Sequence, residues 1–392
     1  MILPGMSLGM LGGGQLGRMF ASEARRMGFG VVIVDPDPAA PAAHLASEHL
    51  CLPWDDPTIP ERLAATCGAV TTEWENVPAA LLRAVAAELP LFPSADAVAT
   101  TQDRIAEKRF LNEAGIPTVR WTEVDAETDL AEAWRRIGGA GGILKTARNG
   151  YDGKGQVVVR SLDALRDART RLGVRCILEE LVALDREISV MVCRDASGAT
   201  GTWTPSENVH VNGILHTSLV PASISEALAR QVAECAVTIA RALEYVGVMG
   251  VECFLVAGGT LLVNELAPRP HNSGHWTLDV PVTSQFEQQV RIVAGLPLGA
   301  TQSLTAHAQP AIAMINILGD VWPADGQPDW SAALALPGTK LHLYGKRDPR
   351  PGRKMGHLTA TAPDTATALA TATKAWHLLD RDQRSEIRDQ RR

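Results

Sequence analysis

The chain has no Cys-x-x-Cys pair, no excess of positive charge, and no apolar run long enough to span a membrane. Each absence removes a class of protein. The six cysteines, at 51, 67, 176, 193, 235 and 253, are scattered over 392 residues. That spacing offers neither a structural zinc site nor a disulfide frame, and it reads as free, buried thiols in a reducing compartment. The net charge of −7 gives no basic face for nucleic acid. The opening MILPGMSLGMLGGG lacks a basic leader region and is broken by glycines, so no targeting segment is read there. A soluble cytoplasmic protein is expected. Composition shows no sign of disorder, collagen or a repeat array, and the length predicts two to three domains with ample core.

What is present centres on GVMGVECFLVAGGTLLVNELAPRPHNSGHW, residues 247–276. Two apolar, β-branched runs, 251–256 and 260–265, flank Gly258-Gly259, which predicts a hairpin because such a turn needs positive φ. If register follows the turn, Glu252 lies opposite Glu265. Opposed like charges repel, so the pair suggests a hard dication, Mg²⁺ shared with substrate phosphates, that takes oxygens from both. The plain alternative is two solvated glutamates. A polar loop with Arg269, His271, Asn272, Ser273 and His275 follows at once.

Upstream, strand 7–11, the turn Gly12-Gly-Gly14-Gln15-Leu16-Gly17, helix 18–27 and strand 31–34 form one βαβ unit. Gly12, Gly14 and Gly17 satisfy G-x-G-x-x-G, and Asp35 falls near the place of a ribose-binding acid. Taken literally this predicts a nicotinamide-binding oxidoreductase. The physical content is narrower: a glycine turn opening a helix offers N–H groups to any phosphate, and Asp35 within DPDP is equally a turn residue. Strand 69–72 runs into Glu73-Trp-Glu75-Asn76, at the crevice end of a doubly wound sheet.

After a boundary at 90–93, a charged helix is expected over 100–114, with Arg104 and Lys108 on one face. Strand 143–145 ends in Lys145, and Asn149-Gly-Tyr-Asp-Gly-Lys-Gly-Gln156 precedes strand 157–159. Three glycines between strands make a loop able to wrap phosphate oxygens; it is not a G-K-[ST] loop. The apolar segments edged by Glu179, Glu180 and Glu187 suit an adenosine slot. His210 is placed on a polar loop, 207–210, and an amphipathic helix is expected over 231–243. A linker follows at 297–310, then a small C-terminal unit in which Lys346, Arg350, Arg353 and Lys354 cluster as an anion clamp. From Arg381 the charges alternate as in a solvated helix.

In this order the pieces resemble the ATP-grasp superfamily and, within it, the N5-carboxyaminoimidazole ribonucleotide synthetases. The matching stretches are GGGQLGRM (12–19), NGYDGKGQ (149–156), GVMGVECF (247–254), NELAPRPHNSGHW (264–276) and RPGRKMGH (350–357). The resemblance implies an α/β ATP-grasp fold: an N-terminal doubly wound pre-ATP-grasp domain (1–98), an ATP-grasp domain (99–300) with a mobile lid lobe at about 118–184, and a small C-terminal domain (301–392).

It also implies ATP- and bicarbonate-dependent carboxylation of 5-aminoimidazole ribonucleotide (AIR) in purine biosynthesis. No biotin is required, and the enzyme would be a cytoplasmic homodimer. ATP would be held by Arg104 and Lys145, by the loop Gly150, Tyr151, Asp152, Gly153, Lys154, Gly155 and Gln156, by the hinge Glu179, Glu180, Leu181 and Val182 with Glu187, and by His210, Asn264 and Glu265. Glu252 and Glu265 would bind Mg²⁺. Position 267 is Ala where many ATP-grasp enzymes carry a third ligand, Asn, and Lys154 stands where the family often has Arg. Asp152, Lys154, Arg269 and His271 would be catalytic. AIR would meet Gln15, Leu16, Glu73, Asn272, Ser273, Lys346 and Arg353, its phosphate between the 15–17 helix start and the last two cations. Two rivals remain, another ATP-grasp carboxylase or ligase and the nicotinamide reading.

Overall fold

The computed structural model describes residues 1–150, 154–280, 282–302 and 310–379. Tyr151, Asp152 and Gly153, and the helix expected from Arg381, lie outside the described residues. The first unit is a parallel sheet with order β3-β2-β1-β4, built from β1 (Ser7–Leu11), β2 (Gly30–Val34), β3 (Glu48–Leu50) and β4 (Cys67–Thr72). Helices α1 (Gln15–Arg26) and α2 (Ile59–Thr66) make the crossovers. Both faces are covered, so the strands read as unbroken apolar runs. Phe20, Ala21 and Ala24 of α1 pack with Leu8, Met10, Val31 and Ile33 on one face, while Ile59 and Leu63 of α2 pack with Leu11, Val32 and Val34 on the other.

Helix α3 (Ala79–Glu88) completes this unit. The expected helix at 100–114 is in fact two, α4 (Ala95–Thr101) and α5 (Arg104–Glu113). Asp103 breaks the run because its side chain caps α5, accepting from the Ile105 and Ala106 N–H groups at 3.1 and 3.3 Å. The same carboxylate receives Arg148 Nε (3.0 Å) and Arg175 Nη1 (3.1 Å), which ties α5 to the next lobe.

That lobe is an antiparallel sheet of order β5-β8-β6-β7, made of β5 (Trp121–Val124), β6 (Gly142–Thr146), β7 (Gln156–Val159) and β8 (Cys176–Glu180), backed by α6 (Leu130–Arg136) and α7 (Leu162–Leu172). Lys145 pairs with Gln156, so the glycine loop is the tip of a hairpin.

The remaining strands build one large sheet: β9 (Leu184–Arg194), β10 (Thr200–Thr202), β11 (Ser206–Val211), β12 (Ile214–Val220), β13 (Gly247–Val256), β14 (Thr260–Ala267), β15 (Ala311–Leu318), β16 (Thr339–Leu343) and β17 (Lys354–Ala362). Its order is β14-β13-β9-β11-β12-β15-β17-β16, with β10 on β9. Residues 207–210, expected on a loop, lie in β11; all four pair with β12, and Glu207 and Asn208 pair with β9 as well. Alternation of Asn208 and His210 with apolar neighbours is a strand signal that the polar composition masks. Helix α8 (Glu226–Ala242) buries Val232, Ala236 and Ile239 against this sheet, and α9 (Gln285–Ala294) carries Val290, Val293 and Ala294 across to the first sheet.

The strands after residue 310 extend the large sheet through β12–β15 pairing, with α10 (Trp330–Leu334) and α11 (Thr365–Leu379) packed on them. Four cysteines are buried as expected; Cys51 is exposed and Cys235 half-buried. No helix among the described residues is long and apolar enough to cross a membrane.

Candidate active site

The hairpin turn forms at Gly258-Gly259, with φ of +90° and +81°, values that residues with a Cβ avoid. From it the ladder runs Val256↔Thr260, Leu255↔Leu261, Phe254↔Leu262 and Cys253↔Val263. Continued without change, it would set Glu252 against Asn264. A β-bulge after Cys253↔Val263 inserts one residue, and Glu252 then faces Glu265. The expected opposition is present, but the bulge produces it, not the turn.

Both carboxylates already have side-chain partners. Arg104 Nη1 lies 2.5 Å from Glu265 Oε2, and His271 Nε2 lies 2.9 Å from Glu252 Oε1. Burial works against the Glu265 charge, yet Arg104 and Lys145 outweigh it and hold the carboxyl at about 2. The repulsion expected between the two carboxylates is thus eased by Arg104 and Lys145 at Glu265, and Glu252 has its own partner in His271. His271 reaches Glu252 because residue 250 is glycine: a Cβ there would come 2.6 Å from His271 Cβ.

Beside this pair lies a buried ladder of charges. Lys145 Nζ is 2.5 Å from Glu179 Oε2, and Lys108 Nζ is 3.4 Å from Glu179 Oε1. Glu179, though buried, is held at about 2 by Lys108 and Lys145. Arg104 Nη2 reaches the Gly150 carbonyl at 3.4 Å, linking the pair to the glycine loop. Lys154 and Gln156 are exposed on that loop and Gly155 half-buried, with φ of +72°.

Around the expected adenosine slot, Glu180 is bridged to Arg120 at 2.6 Å, the Leu181 N–H donates to the Gly141 carbonyl at 3.1 Å, and Val182 follows on the same connection into β9. Glu187 and His210 are hydrogen-bonded to each other across β9 and β11. Burial opposes the His210 charge, but Glu187 wins and raises its pKa. The Asn264 side-chain oxygen is buried without a partner among the described residues.

At the first sheet, the glycine turn is filled by the protein's own acids. Asp35 Oδ2 accepts from the Gly13 N–H (2.7 Å) and Asp35 Oδ1 from that of Asp37 (2.8 Å), the turn role rather than the ribose role. Glu73 accepts from the Gly14 N–H and, at 2.7 Å, from that of Gly17. Burial raises the Glu73 pKa, with the two N–H groups and Arg269 pulling against it. In this arrangement the Gly14 and Gly17 amides are taken by Glu73.

The structure does join Gln15 to the C-terminal cations: Lys346 Nζ donates to the Gln15 side-chain oxygen at 2.8 Å. Arg353 donates to the Asp348 carbonyl at 2.9 Å. Leu16 is a core residue with Met19, Phe286 and Tyr344. Asn272 is buried in a reciprocal pair with Asn316, and Ser273 accepts from Ser189 Oγ at 2.7 Å; both side chains face the interior. Arg269 Nη2 bridges to Glu75 Oε2 at 2.8 Å.

Sequence reading missed Glu107 and gave Lys108 no role beyond sharing a helix face with Arg104. Both are buried, and with Arg104 they occupy one face of α5 at spacings of three and four residues. Burial and then Glu265 push the Glu107 carboxyl up to about 8.

Three family models match in chain order: the ribonucleotide synthetase preATP-grasp domain over 6–102, the ATP-grasp domain over 109–286 and the phosphoribosylaminoimidazole carboxylase C-terminal domain over 312–371. The N5-carboxyaminoimidazole ribonucleotide synthase of Brucella melitensis is 44% identical over 365 residues, covering 92% of this chain and 98% of that one. The chain belongs to the N5-carboxyaminoimidazole ribonucleotide synthase family. The Bacillus subtilis synthase is 38% identical over 96% of both chains. Among solved structures, the Thermus thermophilus synthetase superposes with a TM-score of 0.86 at 39% identity, covering 95% of this chain and 98% of that one. The Aspergillus clavatus synthase, in complex with ADP and 5-aminoimidazole ribonucleotide, gives 0.86 at 31%, covering 96% and 99%. The fold is thus the α/β ATP-grasp fold of this family, with its preATP-grasp and C-terminal domains, and the nicotinamide reading falls.

The segment after β14 is docked on the C-terminal strands by histidines. His275 and His357 are fully buried with ring centroids 5.1 Å apart, His342 stacks on His357 at 4.5 Å, and Tyr344 OH lies 2.9 Å from His357 Nδ1. His342 Nε2 is 2.9 Å from Asp279 Oδ2, and Lys340 is 3.3 Å from its other oxygen.

Burial, with smaller contributions from neighbouring histidines and, at His275, from Lys354, drives the His275 and His357 pKa values well below 6.5, Asp279 opposing weakly at His357. The unfolded chain therefore binds protons that the folded chain refuses, and stability must fall as pH drops below about 6.5. Each such group contributes a slope of up to about 1.4 kcal/mol per pH unit. His357→Asn is expected to flatten the acid limb by close to one proton. Urea unfolding at pH 7.5, 6.5 and 5.5 checks this, and an unchanged slope contradicts it.

Proposed function

We propose that the protein carboxylates AIR at its exocyclic amine, using ATP and bicarbonate, to give N5-carboxyaminoimidazole ribonucleotide. Membership of the family makes the chain an ATP-dependent ligase that carboxylates AIR; the use of bicarbonate, the magnesium site and the residue roles are proposed. The observation that carries it is the Glu252–Glu265 opposition, with Arg104 on Glu265 and reaching the Gly150 carbonyl of the glycine loop, and with Lys145 close enough to lower the Glu265 pKa.

The donor set fits Mg²⁺: two carboxylates on directly opposed residues, with Ala267, which offers no side-chain ligand atom, where many ATP-grasp enzymes carry a third ligand, so that water would complete the shell. Bound by Glu252 and Glu265, the ion would neutralise charge on the ATP phosphates. Lys145, Arg104 and Lys154 add positive charge around the transferring phosphoryl group, and catalysis there is mostly positioning and electrostatics. Gly150 to Gln156 cover the phosphates, with Tyr151, Asp152 and Gly153 assigned on the motif alone. Glu179 to Val182, Glu187, His210 and Asn264 surround the nucleoside.

A bicarbonate oxygen attacks the γ-phosphorus and ADP leaves. The resulting carboxyphosphate breaks its C–O bond to release CO₂ and phosphate. Arg269 and His271 hold bicarbonate, Arg269 by exchanging its bridge to Glu75. The AIR amine attacks CO₂, and its proton passes to Asp152. Water is excluded during this step by the loop. AIR rests against Glu73, Gln15 and Leu16, with Asn272 and Ser273 shaping the floor and Lys346 and Arg353 facing its phosphate. The division at 1–98, 99–300 and 301–392, with a lid lobe at about 118–184, a homodimer and a cytoplasmic location complete the reading. With ¹⁸O-labelled bicarbonate, one label should appear in the inorganic phosphate. Unlabelled phosphate would eliminate the carboxyphosphate route.

Lys346→Ala and Arg353→Ala are expected to raise the KM for AIR about tenfold to hundredfold, as a charge-assisted phosphate contact is worth about 1.5–3 kcal/mol, with the KM for ATP little changed. Equal rises for both substrates would move these cations to the ATP side.

A further inference from the structure

Strand β14 is the outer strand of the large sheet, so its outward backbone groups need partners from elsewhere. The Pro117 carbonyl takes the Val263 N–H at 2.8 Å, and helix α5 supplies the partners around the bulge itself. Lys108 Nζ donates to the Asn264 carbonyl at 2.7 Å and to that of Val263 at 3.4 Å, and Glu107 Oε1 accepts from the Leu266 N–H at 2.7 Å. The two side chains thus grip β14 on either side of Glu265. The Lys108 ammonium also meets Glu179 Oε1 at 3.4 Å, while Glu179 Oε2 holds Lys145 at 2.5 Å. Lys108 is 2% exposed, Glu179 2% and Lys145 7%, so no water competes effectively for these contacts. One ammonium therefore bears on the carbonyl of the bulged residue in the large sheet, and on the carboxylate that orients a phosphate-side lysine in the lid lobe.

We propose that Lys108 is a positioning residue that couples the two halves of the nucleotide site, holding the Asn264 bulge that sets Glu265 opposite Glu252 and, through Glu179, the direction of Lys145. It touches neither substrate nor reacting atoms. The inference rests on the metal and phosphate roles proposed above for Glu252, Glu265 and Lys145. Without the Lys108 ammonium, the bulge carbonyls lose their donor and Glu179 keeps a single cation. The metal pair and the phosphate lysine then loosen together, even with every contacting residue intact.

The test uses the full chain without turnover. Free Mn²⁺ is followed by electron paramagnetic resonance as protein is titrated in with ADP, and ADP affinity is measured calorimetrically with and without Mn²⁺. In Lys108→Met, Mn²⁺ binding in the ADP complex is expected to weaken at least tenfold, ADP binding also to weaken, and the KM for AIR to stay within twofold of wild type. Because Lys108 acts on Lys145 through Glu179, the ADP-affinity losses of Lys108→Met and Glu179→Gln should not add in the double variant. Should Lys108→Met not fold, Lys108→Gln is read in its place with the same expectations.

Wild-type-like Mn²⁺ binding in the variant overturns the inference. So does additivity with Glu179→Gln, or a matching rise in the KM for AIR, which would mark a general loss of structure. If Glu265→Gln binds Mn²⁺ as the wild type does, the metal assignment itself fails, and the role of Lys108 toward it fails with it.

Discussion

Glu265→Gln is expected to lower magnesium-dependent turnover by about 10³-fold or more, with Glu252→Gln close behind, since each removes charge stabilisation aimed at the transferring phosphoryl group. The fold should survive. Glu265 is held near 2 by Arg104 and Lys145 against the cost of burial, so its charge favours the folded state above about pH 4.5, and that contribution is lost as pH falls toward 2. Neutralising it forfeits the Arg104 pairing but relieves Glu107, whose carboxyl is pushed up by burial and by Glu265. The two effects oppose each other, and the melting temperature of the metal-free variant should move little. Turnover at ordinary magnesium close to wild type in either variant would remove the metal assignment.

Asp152→Asn is expected to uncouple the reaction. Asparagine can make the local hydrogen bonds of a turn-forming Asp but can neither take the amine's proton nor carry the charge that orients it. Loss of a general base costs about 10²–10⁴-fold in the chemical step. Carboxyphosphate formation needs no such base, so ADP release should persist in part while carboxylated nucleotide falls away. A product-to-ADP ratio near one, at close to the normal rate, would return Asp152 to a turn role.

The parts of the site legible in the sequence were those fixed by local chemistry. Gly258-Gly259 can only turn and is found so; the strand read to Lys145 is present and ends one residue later at Thr146, while the helix read from 18 already begins at Gln15 within the glycine turn. Pairings set by distant side chains were not legible. The register that brings Glu252 and Glu265 together depends on a bulge at Asn264, which receives Lys108 from more than a hundred positions earlier. No local pattern announces that contact. Glu107 and Lys108 alternate in charge along α5 as solvated residues do, and only the covering strand shows them to be interior. The glycine turn misled in another way: its amides do bind an anion, but the anions are Asp35 and Glu73 of the same chain. Likewise the polarity of 207–210 hid a strand whose polar side chains are hydrogen-bonded within the sheet, Asn208 to Ser189 and His210 to Glu187.

The most direct measurement is ADP release and carboxylated nucleotide formation in one assay, with ATP, magnesium and bicarbonate present and AIR added or withheld. One carboxylated nucleotide per ADP, with release strongly stimulated by AIR, is the predicted result. ADP release indifferent to both AIR and bicarbonate, or AIR consumed without a carboxylated product, would contradict it.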